Sequence, residues 1–598
     1  MSDLEHEEDL ARTKLDRRMA SRMASLLLPV LPRVLLVILV EVVLVGSVIA
    51  RPWFLRVVID HGILPHGRGW QLDERVLLLA MAGLTAVWMV RFGLGGLAQY
   101  LSGTVSLLVL KDLRTRVFSH VQALSVRYFD RTKAGRIIAR ADRDVDSLEP
   151  AVINGPPEFL GMLLRTVGAG WLLYETSAHL FWLVFPLFPA LALAMGIFQR
   201  AGKLVWAHVA EAKSRVTAHL CETVAGVRVI QQHGHESANQ ATYVKLLFDL
   251  DRSSINGSWA WGWFSPYSGL LFTIGLALLA VNGGIELSAG RITAGQLAQA
   301  LFYITIFLGP LQELGDLYEK LATAAAAAQR IFLLLDTPIE ITDAPGAISI
   351  GTAQGAIAFE HVTFAYDTST ATVIHDLNLS IPAGQVLAIV GATGHGKSTL
   401  VQLLTRFYEP QSGRITLDGH DIRSLTQESL RRQVAVVLQD NILFSGSILE
   451  NLRLAKPGAD DRELIAAIEA LGADEVLTRL PLGYQTLVGA GGVNLSHGQR
   501  QLVCLVRAYL ADPRVLVLDE ATSSVDVHTE QRLQKALRRL CVGRTAIIIA
   551  HRLATIRDAD RIVVIEHGRL IEDGSHADLL ATHGKYAALY QANEREQG

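Results

Sequence analysis

The chain has 598 residues, half of them hydrophobic, which allows several domains and is too apolar for a purely soluble protein. A net charge of −3 excludes the overall basic character that nucleic-acid binding draws on. Three cysteines, Cys221, Cys504 and Cys541, lie far apart with no C-x-x-C spacing, which argues against a metal cluster or a disulfide framework. Long apolar runs fill the first half, and the second half has the composition of a soluble domain.

Residues 1–30 carry charges of both signs through Arg22, and their first apolar run is broken by Pro29 and Pro32. No signal-peptide pattern is present there, so the segment reads as an amphipathic cytoplasmic elbow with Arg12, Lys14, Arg17, Arg18 and Arg22 near lipid headgroups. Six runs approach the roughly 20 apolar residues that cross a bilayer. They are 34–59, 76–97, 159–174, 180–198, 259–281 and 297–317, the third being short and interrupted by Arg165. The connecting stretches 111–152 and 200–252 are long and rich in Lys and Arg, which places them and both termini in the cytoplasm. Apolar positions recur at three and four residues inside both stretches, for example Leu113, Val117, Val121 and Leu124. The spanning helices are therefore expected to run on into the cytoplasm and to present short turns, 128–135 and 226–236, to a soluble domain. Glu41 is an acidic residue in an apolar run, where a charge costs about 2.5–3.5 kcal/mol on insertion scales. It is expected to face a cavity or to pair with Arg91 or Arg165, and these three are the candidate substrate-cavity residues. The transmembrane domain is bounded at 31–335, a Pro- and Asp-containing linker at 336–354, and a soluble domain at 355–598.

In that soluble domain Gly391, Thr393, Gly394, His395, Gly396, Lys397, Ser398 and Thr399 belong to a G-x-x-x-x-G-K-[ST] stretch. An apolar run of the strand kind precedes it and a helical period follows. The pattern makes a phosphate cradle of backbone N–H groups, with Lys397 on the terminal phosphates and Ser398 on Mg²⁺. Tyr366, at the end of an alternating strand, is placed to stack on adenine. The strand 515–518 ends in Asp519 and Glu520, assigned to the metal and to the attacking water. Ser496 is placed to cap a helix that begins with Gly498 and Gln499, and Gln439 and His551 are single polar residues that follow apolar strands.

Together these motifs resemble the ATP-binding cassette transporters, in particular half-transporters of the exporter (type IV) fold, which include lipid and multidrug pumps. The resemblance implies an all-α, six-helix transmembrane domain followed by an α/β P-loop nucleotide-binding domain. It implies that Leu495 to Gln499 is the signature, through which Ser496, Gly498 and Gln499 complete the ATP site of an opposite cassette. Asp526 touches that cassette, Gln439 serves catalysis and the metal, partly through water, and His551 is the switch histidine. Tyr128, Phe129 and Asp130, with Gly226 and Val229, look like the coupling segments. The implied protein is a multi-pass component of a bacterial inner or plasma membrane that uses ATP and Mg²⁺. Its partners would be a second half-transporter, identical or homologous, membrane lipids and a hydrophobic or amphipathic substrate driven outward. An importer of the same fold and an ATP-gated channel or regulatory subunit are the alternatives. His395, His497 and Ala490 depart from the family pattern.

Overall fold

The computed structural model describes residues 17–66, 69–132, 134–367, 371–438, 441–519, 527–549 and 556–597. They divide into two compact units, one made of the chain up to Gln122 with Ala134–Thr337, the other of Ala123–Lys133 with Pro338–Gly598.

The first unit is helical. After α1 (Arg17–Ser25) come α2 (Leu31–Val57), a hairpin of β1 (Ile63–His66) and β2 (Gly69–Leu72), and α3 (Glu74–Ala123). The short helix α4 (Val126–Arg131), which belongs to the second unit, follows in the chain, and then come α5 (Gly155–Thr176), α6 (Leu187–Ala225), α7 (Val227–Gln232), α8 (Glu236–Ser288) and α9 (Ala294–Asp336) of the first. Among the described residues five helical stretches are long and apolar enough to cross a membrane. The sixth expected span is α5, 22 residues long, whose Glu158 and Arg165 dilute its hydropathy. At about 1.5 Å per residue, the 50 residues of α3 reach roughly 75 Å, far beyond a hydrocarbon core of about 30 Å. The periodicity that continues past the apolar spans is thus physical helix. The core of the unit gathers around α9, where Ala300, Tyr303, Ile304 and Phe307 pack with Ala169 and Leu173 of α5 and Leu279 of α8. One expectation changes here. Arg22 pairs with Asp336 of α9 at 2.6 Å and lies over the Phe332 ring at 4.1 Å, so its charge is met by protein and not by a lipid headgroup.

The second unit has two main sheets and a short antiparallel pair, β9 (Gly446–Ser447) with β10 (Leu487–Val488). One is four-stranded, with β4 (Ile374–Ile381), β3 (Ile357–Phe364), β6 (Ser412–Leu417) and β7 (His420–Asp421) in that order. The other runs β14 (Arg569–Gly574), β13 (Arg561–Glu566), β5 (Val386–Val390), β12 (Thr545–Ile549), β11 (Val515–Asp519), β8 (Val434–Val437). Its strands from β13 to β8 are parallel. Both faces of β11 are covered: Leu516 and Leu518 join one apolar cluster, and Val515 and Val517 the other. That is why this strand is an unbroken apolar run with no alternation. Residues 338–354 are bound along this unit and do not form a free linker. Gln427 N donates to Asp343, Ile350 N to Ser429 and Ala353 N to Gln433. The partners lie some 80 residues away, so nothing local in the sequence announces them.

Candidate nucleotide site

The parallel strands β5, β8, β11 and β12 end at the same edge of the sheet, and in such sheets ligands bind outside the carboxyl ends of the strands. The loop after β5 is shaped for close approach. A Cβ on Gly391 would stand 2.3 Å from Ile565 O, and Gly396 has φ +96° with a Cβ position 2.7 Å from Ile374 Cδ1. Neither site admits a side chain. Gly396 N-caps α10 (Lys397–Leu404), so the helix dipole backs the loop. Lys397 is buried, and its Nζ donates to Gly391 O at 2.7 Å and Ala392 O at 2.9 Å. The ammonium is thereby held inside the loop's own curve, where a phosphate would take over those contacts. Thr393, Gly394 and Ser398 are exposed, and Thr399 is buried.

His395 packs its ring against His567 with centroids 4.7 Å apart, and its carbonyl accepts from Gly568 N at 3.3 Å. The unusual histidine of the loop is thus fixed to the β13–β14 turn. Tyr366 has a more enclosed setting than an adenine platform requires. Its hydroxyl donates to Gln402 Oε1 at 2.7 Å and sits 3.0 Å from Thr399 Oγ1, and its ring meets Phe364 and Tyr408 edge to face. Burial pushes the Tyr366 hydroxyl above the usual tyrosine range, against the opposing effect of its bond to Thr399.

Asp519 closes β11 and is in register with Ile549, which is itself in register with Ile389 of β5. Ser398 and Asp519 supply hard oxygen donors of the type Mg²⁺ takes, and a loop that admits no Cβ at Gly391 fits the phosphates such an ion accompanies. Glu520, Gln439, Asp526 and His551 lie outside the described residues. The signature helix α11 (His497–Leu510) opens with a capping box: Ser496 Oγ accepts from Gln499 N at 3.3 Å, and Gln499 Oε1 accepts from Ser496 N at 2.9 Å. Ser496 is exposed and Gly498 is buried. The backbone at Ala490 forms a short 3₁₀ turn.

Of the two segments expected to couple the domains, the first belongs to the nucleotide unit by its contacts. Tyr408 donates its hydroxyl to Asp130 at 2.5 Å, Arg131 pairs with Asp367 at 2.7 Å, and Arg127 pairs with Glu340 at 3.2 Å while lying over the Tyr408 ring. Burial first, and then the bond to Asp130, raise the Tyr408 hydroxyl well above the usual tyrosine range, so it stays a donor. Tyr128 is half-buried and Phe129 exposed. Tyr408 and Gln402 are residues that sequence reading missed. Tyr408 and Asp130 are 278 positions apart, and no local pattern links them. In the second segment Gly226 caps α6, and Val227 and Val229 of α7 are 42% and 61% exposed.

In the membrane helices the expected pairing of Glu41 with Arg165 is not what forms. Arg165 makes a two-pronged bond to Glu313 at 3.1 and 2.6 Å, because α9 packs directly on α5. Glu158 takes Lys320 at 2.9 Å. Glu41 lies instead against Gly161, where a Cβ would come within 2.9 Å of its Oε1. Arg91 approaches the Trp88 ring at 5.8 Å.

Comparison with known proteins gives consistent matches across the chain. The family described as ABC transporter matches residues 374–523, and the one described as ABC transporter transmembrane region matches 34–311. A fatty acid ABC transporter ATP-binding/permease protein of Mycobacterium bovis is 38% identical over 87% of this chain and 81% of its own length. A multidrug efflux ATP-binding/permease protein of the same species is 35% identical over 91% of this chain but only 45% of its own. The solved structure of a bacterial Atm1-family ABC exporter with ATP bound has a TM-score of 0.79 at 27% identity. That match covers 94% of this chain and 98% of the other.

Proposed function

The chain belongs to the ABC transporter family, as an ATPase-coupled membrane transporter of the exporter type, and we propose that it is one half of a dimer that exports a hydrophobic or amphipathic compound. The observation that carries this reading is the docking of α4 on the nucleotide unit through Tyr408, Asp367 and Glu340. Because α4 follows α3 directly, a change of shape at the cassette is passed to a membrane helix. The exposed cap at Ser496 and the exposed valines of α7 support a second subunit, since each is a contact surface left open in one chain. So does the match to under half of a longer efflux protein. The names of two relatives, one for fatty acid and one for multidrug efflux, support the substrate class.

In this reading the N–H groups of Gly391 to Lys397 and the Lys397 ammonium hold the phosphates of ATP. Ser398, Asp519 and, through water, Gln439 would hold Mg²⁺, which when bound would neutralise phosphate charge. Glu520 orients the attacking water and draws its proton, and His551 steadies the γ-phosphate. Ser496, Gly498 and Gln499 of the second subunit close the site, with Asp526 across the interface. Closure favours one cavity orientation, and a shift from 1:99 to 99:1 needs about 5.5 kcal/mol of differential binding.

The test is ATP-driven accumulation of a labelled long-chain fatty acid in proteoliposomes whose cassettes face outward. Accumulation with ATP, abolished together with hydrolysis in Glu520→Gln while ATP binding persists, is the expected result. Hydrolysis at the wild-type rate in that variant removes Glu520 from its role, and ATP-driven loss of preloaded label reverses the direction.

A further inference from the structure

Most charges in the membrane helices have partners. Arg165 has Glu313, Lys320 has Glu158, and Arg56 has Asp60. Arg51 of α2 is different. Its guanidinium carbon lies 4.4 Å from the centroid of the Trp88 ring of α3, and Arg91, one turn along α3, faces the same ring at 5.8 Å. Nε and Nη2 of Arg51 are sealed from the surroundings without a hydrogen-bond partner. Among the described residues no carboxylate forms an ion pair with Arg51 or Arg91, and the charged group that acts on Arg51 is Arg91 itself. Glu41, ten residues nearer the cytoplasm on α2, is within electrostatic range of Arg91.

Depth makes this arrangement costly. Arg51 precedes Gly62 by 11 residues, and Trp88 follows Glu74 by 14, so at about 1.5 Å per residue the pair lies roughly 16–21 Å from the outer hairpin. An arginine side chain does not span that distance to reach headgroups. Two like charges in hydrocarbon, with one aromatic face between them, call for an anion.

We propose that Arg51, Arg91 and Trp88 form a site for the anionic head of an amphiphile, a carboxylate or a phosphate. A guanidinium N–H gives either group a charge-assisted hydrogen bond, and the low dielectric strengthens it. Of the Arg51 guanidinium, Nη1 is the nitrogen left reachable. Leu84 and Met81 share the helical face of Trp88 one and two turns nearer the hairpin and are 36% and 56% exposed, which gives an acyl chain an apolar track. This inference rests on the export reading and narrows its substrate class to anionic amphiphiles, since a cationic one meets two arginines.

The experiment measures equilibrium binding of a labelled long-chain fatty acid to the full-length protein in phosphatidylcholine nanodiscs, without ATP. Transport is not involved, so a failure of the export reading leaves this readout intact. Expected are binding at least tenfold weaker in Arg51→Gln, a smaller loss in Arg51→Lys, and weak binding of the methyl ester that neither variant alters. Nanodiscs containing phosphatidylglycerol separate the two sources of the anion. Competition by that lipid, dependent on Arg51, assigns the same site to a resident headgroup, and absence of competition assigns it to the free fatty acid. Unchanged fatty-acid affinity in both Arg51 variants, or methyl-ester and alkyltrimethylammonium binding equal to that of the acid, overturns the proposal. A Trp88→Phe protein that keeps its fold provides the second variant if Arg51→Gln is not recovered folded, and unchanged affinity there also overturns it.

Discussion

The hydroxyl of Tyr408, four residues past the helix that begins with Lys397, donates to the carboxylate of Asp130, which lies just beyond the membrane helix α3. Tyr408 also stands edge to face with Tyr366 at 5.1 Å, and Tyr366 contacts Thr399 of the phosphate loop. Two side chains, Tyr366 and Tyr408, therefore lie between the phosphate loop and the expected coupling segment. Each contact is short-ranged and directional, so a shift at Thr399 cannot be absorbed without moving Asp130 or breaking a bond.

Tyr408→Phe keeps the aromatic packing and removes only that donor. A net hydrogen bond contributes about 1 kcal/mol, so the equilibrium constant for docking α4 falls roughly fivefold. Transport per ATP hydrolysed in proteoliposomes is expected to drop several-fold while the KM for ATP holds. An unchanged transport-to-hydrolysis ratio would show that this bond does not carry coupling. The sign of the pH effect follows from the raised ionisation of Tyr408. Its contribution is complete below the ordinary tyrosine value of about 10 and is lost as pH rises beyond it, so coupling does not weaken through this group at neutral pH.

Arg165 and Glu313 are an ion pair within the helix bundle. Removing one partner leaves the other charge without its counterpart in a medium that penalises it, whereas removing both deletes charge and counter-charge together. Arg165→Gln and Glu313→Gln should each lower the melting temperature in detergent more than the double variant does. Additive losses in the double variant would mean that the two side chains do not interact in the folded protein.

The three cysteines should separate by reactivity. Cys221 is exposed, and Cys504 and Cys541 are partly buried. Burial pushes the Cys541 thiol up to about 11 and raises that of Cys504 as well, and the thiolate is the reactive form. Mass spectrometry after brief maleimide treatment at neutral pH is expected to find Cys221 labelled first by a wide margin. Equal labelling of Cys541 would contradict the packing of α12 (Val527–Cys541) against the sheet.

Much of the site could be read from the sequence because its chemistry is local. The phosphate loop needs glycines where Cβ atoms have no room, and that requirement is met within nine consecutive residues, Gly391 to Thr399. The capping box at Ser496 spans three residues, and Asp519 is marked by the apolar strand that it ends. Long apolar runs likewise announced the membrane helices, since hydrophobic length is a property of the chain alone. What the sequence could not supply were contacts whose energy depends on partners tens to hundreds of positions apart. Arg165 chose Glu313 and not Glu41 because α5 packs on α9. Residues 338–354 read as a linker until their hydrogen bonds to Asp418, Ser429 and Gln433 placed them on the cassette. Tyr408 and Arg51 stand in no local pattern that marks them. The sequence by itself determined the two kinds of domain and the nucleotide chemistry, because these follow from short-range sterics and solvation. Only the tertiary structure decided how charge is paired and how the cassette grips α4, because those outcomes depend on which helices and strands come to lie side by side.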